Sequence, residues 1–248
     1  MHIKNVNVYT LVLQVCLSST VLSKLPDNVT SICVSGVSSS GKTYYAKNLL
    51  RKHLENEYNA NVQIMFQDDY FLPFDQKEHT IYEINGEQIL QLALENYSTY
   101  DNGKWWTEVA EAVRNAKFSR PRKLEKRKLV IIEGHKYFHA GAAMKHCDVM
   151  FDMEIEQDVG LERRMARKHL KNLFPLMGTA EYYLDIIWEK HVQYMSAARA
   201  LAEREGRVIK GISNADLYKV SCLRVEGQNG CHGKDEEGLR DWIENTFA

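Results

Sequence analysis

The sequence predicts an α/β fold in which a parallel sheet is covered on both faces by helices. Short apolar runs of strand length recur along the 248 residues, and stretches of helical periodicity separate them. One glycine-rich loop, "GVSSSGKT" (36–43), lies between the first such run and the first helical stretch. Strand, loop, helix and next strand follow one another within about forty residues, the size of a βαβ unit. Strands that alternate with helices in this way pair in parallel and bury both faces.

The elements follow in order. "TSICVS" (30–35) carries Ile32 and Val34 and runs into Gly36, which fits a buried strand feeding a tight loop. From Lys42 the pattern becomes helical, with Ala46, Leu49, Leu50 and Leu54 on one face. "VQIMF" (62–66) is the next strand. Helices are predicted around Gly86 to Tyr97 and around Trp106 to Ala116, the second with Trp106, Val109, Ala110 and Val113 in line. "KLVIIEG" (128–134) and "VMFDMEI" (149–155) are strands, Asp158–Leu170 and Tyr182–Glu205 helices, and "RVIKG" (207–211) a last strand, with a closing helix over Asn214–Leu223. The chain divides into an N-terminal extension (1–27), one domain (28–225) and a polar, glycine-rich tail (226–248).

Composition narrows the class. Charged residues make up 26% and hydrophobic ones 44%, ordinary for a globular protein, and a net charge of -1 gives no global attraction to nucleic acid or an anionic membrane. Five cysteines, Cys16, Cys33, Cys147, Cys222 and Cys231, form no CxxC pair and read as reduced thiols of a cytoplasmic protein. Cys231-His232 is one pair and makes no tetrahedral site. The apolar stretch "VYTLVLQVCLSSTVLS" is too short and too interrupted for a membrane span, and it reads as an extension rather than a secretory leader.

The loop carries the chemistry. Gly36 and Gly41 let the backbone N–H groups of Val37, Ser38, Ser39, Ser40 and Tyr44 turn toward one anion, and the following helix points its positive end at the same place. Lys42 can reach terminal phosphates, and the Thr43 hydroxyl can ligate Mg²⁺. A chance match to G-x-x-x-x-G-K-[ST] arises in about 1% of chains of this length. Asp68 and Asp69 follow the second strand, where open α/β sheets form their ligand crevice, and a carboxylate there can take a proton from an acceptor hydroxyl. Two solvated turn aspartates are the bland alternative. Glu133 ends its strand where such folds place an acid near Mg²⁺. Arg163, Arg164 and Arg167 lie within two helical turns and can close over phosphates, although a basic helix face is often only a solvated surface. No N-K-x-D or LSGGQ-like motif is present, which disfavours a GTPase or a transport ATPase.

"GVSSSGKTYYAKNL", "QDDYF", "VIIEG" and "RRMAR", in this order and at these spacings, resemble the nicotinamide riboside kinases, within the wider uridine kinase-like group of P-loop kinases. The resemblance spans about Ser31 to Leu223 and is densest at its start. It implies a P-loop NTPase-type three-layer sandwich with a five-stranded parallel sheet and a small lid at about 163–182. The implied activity is transfer of the γ-phosphate of ATP, with Mg²⁺, to the 5′-hydroxyl of nicotinamide riboside. The resemblance makes Asp68 the proton acceptor and a metal-associated acid, with Lys42 its catalytic partner. Asp69, Tyr70 and Phe71 become the substrate-side turn, Tyr82 a stacking aromatic and Glu83 the holder of the ribose hydroxyls. Arg163, Arg167 and His169 fall on the ATP side, Arg164 on the substrate side, and Ser213 and Asn214 at the adenine end. Family members usually carry Asp where this chain has Glu83, Tyr and Gln where it has His169 and Leu170, and often Asp where it has Lys210.

Other readings stay open on the sequence. Uridine, cytidine or another nucleoside is a possible acceptor for the same phosphate machinery. A nucleotide-gated binding protein would have lost Lys42, Asp68 or the arginines, and all are present. The basic run 117–128 suggests nucleic acid, but such runs are usually solvated. The expected partner is a small-molecule riboside, with no nucleic acid and no membrane, and the expected state a monomer or weak homodimer.

Overall fold

A strand of β-branched and small residues with no charge along it can be enclosed on every side, and "SICVSG" is such a strand. The computed structural model describes residues 28–73, 79–84, 87–92, 99–119, 126–135, 138, 142–167 and 179–213. Within them the strands are β1 (Ser31–Gly36), β2 (Ala60–Phe66), β3 (His79–Ile84), β4 (Glu87–Leu92), β5 (Arg127–Glu133), β6 (Val149–Glu154) and β7 (Ile209–Ser213). Five of them form one sheet in the order β2-β5-β1-β6-β7, with every neighbouring pair parallel. β1 is central and buried throughout.

Helices cover both faces. α1 is a continuous helix through Lys42–Tyr44, Tyr45–Leu50 and Arg51–Glu57, its middle segment wound with a wider i→i+5 pattern. α2 spans Asn102–Phe118, α3 Ala142–His146 and α4 Gln157–Met165, while α5 runs through Tyr182–Trp188 and Glu189–Arg204. Side chains alternate across each strand. Ile32, Val34, Ile131, Phe151 and Met153 therefore face α1, whose Ala46, Leu49, Leu50 and Leu54 are the stripe expected from the sequence. Cys33, Val130, Ile132 and Met150 face the other way, onto Trp105, Val109 and Val113 of α2 and Met195 and Ala198 of α5.

The strand order positions the site. The chain runs from β1 out to β2 and returns through β5, then crosses to β6 on the far side of β1. Above that reversal the connections diverge and leave a crevice at the C-terminal strand ends. The glycine loop, the turn Gln67–Tyr70, Glu133, Glu154 and Ser213 all lie along that one edge.

Three expectations are corrected. Residues 87–92, expected within a helix, form β4 of an antiparallel pair with β3, in which Tyr82 is in register with Ile89 and Glu83 with Gln88. "EQILQL" is too short to establish a helical period, and an adjacent strand supplies its backbone partners instead. Trp105, not Trp106, is the tryptophan of α2 that is fully buried. The last strand begins at Ile209 rather than 207, because Arg207 is engaged ahead of it, its guanidinium donating to the carbonyls of Met144, Cys147 and Asp148. The extension 1–27, the tail 226–248, the helix over Asn214–Leu223 and the middle of the lid lie outside the described residues. Among the described residues no helix is long and apolar enough to cross a membrane.

The cysteines depart from expectation too. Cys33 of β1 and Cys147, just after α3, form a disulfide across 114 residues, with Cα atoms 5.6 Å apart. Local spacing gave no hint of it, because the two are brought together only by the pairing of β1 with β6 and the seating of α3 under it. Both residues lie in the core at 0% and 1% exposure. Closing so long a loop restricts the unfolded chain, so Cys147→Ala should destabilise the domain by about 3–5 kcal/mol in denaturant titrations. A variant that melts with the parent protein would contradict this.

Candidate functional site

The loop is built by close approach. Gly36 leaves β1 at φ 155°, and a Cβ there would sit 2.6 Å from Ser40 Oγ and 2.8 Å from Met153 Cβ, so a side chain would push the loop off β6. Ser39 (φ 75°) and Gly41 (φ 93°) take left-handed backbone conformations, and the Ser40 N–H donates to Val37 O at 3.1 Å. A non-glycine residue in that region costs about 1–2 kcal/mol, which the enclosed loop must hold against relaxation. Val37, Ser39 and Ser40 are buried, and the Ser39 hydroxyl has no hydrogen-bond partner among the described residues. Tyr44 stands exposed on the first turn of α1.

Glu133 sits beneath the loop and is 2% exposed. Its Oε1 lies 3.7 Å from Lys42 Nζ, and its Oε2 accepts from the Thr43 hydroxyl at 3.3 Å. Burial raises the Glu133 pKa, and Asp68 adds to the rise, against the opposing pull of Lys42, Thr43 and Lys47. A divalent cation beside Thr43 and Glu133, with Asp68 in electrostatic range, would favour the ionised carboxylate. Among the described residues no three His, Cys, Asp or Glu side chains converge to hold a metal by themselves. Mg²⁺ usually takes one or two carboxylates and completes its shell with water and phosphate.

Across the crevice, Asp68 and Asp69 lie exposed in the turn after β2. Tyr100 stacks on Phe71 at 4.3 Å, and its hydroxyl approaches Asp68 Oδ1 to 3.5 Å. The Tyr70 hydroxyl donates to Glu108 of α2, and the Tyr70 ring meets Trp105 edge-on at 4.9 Å. The floor is tied down by Gln67, whose Oε1 accepts from the His135 N–H at 3.0 Å.

The arginine helix α4 rises on the other side. Arg164 is buried and donates to Ser38 Oγ of the loop at 2.8 Å. The resemblance puts Arg164 on the substrate side; here its guanidinium is on the loop. Arg167 interacts electrostatically with Asp68 and with the Tyr183 hydroxyl, and Arg163 is half-buried. Tyr82 and Glu83 are neighbours on β3, and Ser213 ends β7 opposite Glu154. His169 and Asn214 lie outside the described residues. In the basic run 117–128, Lys117 is 3.5 Å from Asp148 and Arg127 donates to the Val29 carbonyl, so these two serve the fold.

A second polar cluster borders the crevice on the opposite face of the sheet from Glu133. His191 Nε2 of α5 lies 3.9 Å from the buried Asp152 carboxylate of β6. Arg199 reaches Asp152 at 3.1 Å and Glu154 at 2.8 Å, and the His135 ring lies 5.7 Å from that of His191. One signal was visible in the sequence, an acid inside the apolar "VMFDMEI". His191 carried none.

No family model matches the chain, and no curated protein matches it. Among solved structures, one from Silicibacter sp. TM1040, described as a fructose transport system kinase, is similar over 82% of this chain and 96% of that one, at 14% identity and a TM-score of 0.43. D-glycerate 3-kinase from Cryptococcus neoformans var. grubii is similar over 97% of this chain and 85% of that one, at 15% identity and a TM-score of 0.27. Likeness at this level carries no weight for function.

The Asp152–His191 pair makes stability respond to pH in two opposing ways. Burial raises Asp152 from 3.8 to about 6, with Arg199 opposing and Glu154 assisting. Its contribution is therefore full below pH 4 and is lost as pH rises through about 6. Burial lowers His191 from 6.5 to about 4, and Lys42 and Arg199 add to this, so its contribution is full above 6.5 and is lost as pH falls through about 4. Between these limits the slopes oppose each other. Asp152→Asn should unmask a stability that rises with pH across the window, and His191→Gln one that falls, each by on the order of 2 kcal/mol. Parallel pH profiles of unfolding free energy in the parent and both variants would contradict the assignment.

Proposed function

We propose that this chain is an ATP-dependent kinase that phosphorylates the 5′-hydroxyl of nicotinamide riboside, and of nicotinic acid riboside with it, to give the mononucleotide for NAD synthesis. One observation carries the kinase part. A buried carboxylate, Glu133, lies between Lys42 and Thr43 at the mouth of a strained glycine loop, with a second, exposed carboxylate at Asp68 across the crevice. The loop amides from Val37 to Tyr44 would hold the β- and γ-phosphates, and Lys42 would leave Glu133 to follow the transferred group. Thr43, Glu133 and Asp68 would hold Mg²⁺, which supplies charge neutralisation between phosphates when bound. Asp68 would accept the proton of the attacking hydroxyl. Arg163, Arg164 and Arg167 would cover the phosphates and exclude water that would otherwise hydrolyse ATP.

The acceptor is proposed from the resemblance: Tyr82 stacks on the nicotinamide ring, Glu83 holds the ribose diol, and Asp69, Tyr70 and Phe71 shape the turn beside it. His169, Ser213 and Asn214 belong to the nucleotide side of the same proposal. It further makes the protein a cytoplasmic monomer or weak homodimer.

Purified protein with ATP and Mg²⁺ should convert nicotinamide riboside to its mononucleotide faster than it converts uridine, cytidine or adenosine. Faster phosphorylation of a pyrimidine nucleoside would replace the acceptor and keep the kinase. No product from any of them, with no ATP binding, would remove both. Lys42→Ala should abolish most turnover while the protein still folds, with a Tm lowered by the loss of the Glu133 partner. Asp68→Asn should reduce kcat by about 10² to 10⁴-fold, and by more than Asp69→Asn does; the reverse order in steady-state assays would move the proton acceptor to Asp69.

Glu83 separates acceptors by their diol. A carboxylate can accept from two vicinal hydroxyls at once. Glu83→Gln should lower kcat/KM for ribosides by the equivalent of about 1.5–3 kcal/mol and affect a 2′-deoxy analogue much less. An equal response of both substrates would take Glu83 out of the site.

A further inference from the structure

Gly160 lies inside α4, where glycine is about 1 kcal/mol less favourable than alanine. The reason is on the neighbouring helix. A Cβ on Gly160 would lie 2.1 Å from the Tyr183 hydroxyl oxygen and 3.1 Å from the ring carbon that bears it. Tyr183, on the first turns of α5, is 0% exposed, and its hydroxyl has no hydrogen-bond partner among the described residues. It packs in one cluster with Tyr182, Ile187 and Val37, and Val37 is a residue of the glycine loop. One turn beyond Gly160 on α4 is Arg164, which donates to Ser38 of the same loop at 2.8 Å. Arg164 and Arg167 both act electrostatically on the Tyr183 hydroxyl. A single ring therefore belongs to the loop's packing cluster and also presses against the helix that carries the arginines.

We propose that the Gly160–Tyr183 contact is a positioning device, in which the close approach of α4 to α5 sets how deeply Arg164 and Arg167 reach over the glycine loop and thereby sets affinity for the polyphosphate of a bound nucleotide. It rests on the reading of the loop as an ATP site. Neither residue touches the nucleotide. Their effect passes through the seating of α4: an added methyl at 160 pushes the helix outward, and the guanidinium of Arg164 leaves Ser38. Removing the Tyr183 hydroxyl takes away the atom that the methyl would strike first, so the two changes compensate.

The test is a double-mutant cycle on the full chain, with ATP·Mg²⁺ affinity by calorimetry, kcat and KM for ATP, and Tm. Gly160→Ala should weaken ATP binding by about tenfold or more, Tyr183→Phe by less than about threefold, and the double variant should return to within about threefold of the parent, a coupling well above the additive limit. Should Gly160→Ala not fold, Tyr183→Leu serves in its place, since it keeps an apolar filling and removes the ring. It should keep the far-UV spectrum and weaken ATP binding. A Gly160→Ala protein that loses Tm but binds ATP like the parent would make the contact merely structural and overturn the proposal, and so would additive effects without rescue, or Tyr183→Leu at parental affinity. Failure of the parent itself to bind ATP would sink the kinase reading together with this one.

Discussion

Glu133 is the group on which the arrangement depends. A carboxylate enclosed at the edge of a sheet is expensive to hold in charged form, and removing one partner of a buried pair typically costs about 3–5 kcal/mol. Its two partners, Lys42 and Thr43, come from a different element, the first turn of α1. They reach Glu133 only because β5 lies directly beside β1, with Val34 in register with Glu133. The loop between β1 and α1 must then turn back tightly within a few residues. That requirement explains the left-handed backbone at Ser39 and Gly41 and the lack of room for a side chain at Gly36. Sheet order, loop geometry and the identity of the lysine and threonine thus answer one electrostatic demand.

The other face of the sheet answers a second demand. Asp152 is also an acid in an apolar strand, but it points toward α5 and finds His191 and Arg199 there. Its pairing with Arg199 is half exposed, so that contact is worth little by itself. His191 approaches the same carboxylate to 3.9 Å on the buried side of α5. The first turns of α5 carry Tyr182 and Tyr183 against the loop. One long helix therefore touches β6, the arginine helix and the loop.

The core divides the same way. α1 covers one face through a stripe of small and branched side chains, which lets it lie close enough for Lys42 to reach inward. α2, α3 and α5 cover the other face around Trp105, and the Cys33–Cys147 disulfide crosses that layer directly behind β1. The strand that launches the loop is thus held by pairing on both sides, by packing above and below, and by a covalent link.

Some of this was legible in the residues alone. The apolar run into Gly36, the spacing of Gly36, Gly41, Lys42 and Thr43, the stripe of Ala46, Leu49, Leu50 and Leu54, and the acid ending "VIIEG" are local patterns. Local patterns suffice where a single element must meet a single requirement, such as burial on one face or a turn at one point. Residues 87–92 show where that fails, because six residues support either period and the antiparallel partner decided between them. The disulfide, the Asp152–His191 approach, the floor made by Gln67 and His135, and the fit of Tyr183 over Gly160 join residues 23 to 114 positions apart, and no period or motif links them. They exist because the sheet order β2-β5-β1-β6-β7 brings their elements together. The sequence by itself determined the loop and the strand that feeds it. Only the tertiary structure decided which buried groups face one another, since the cost of an unpaired charge or an unfilled space is set by what the fold places beside it.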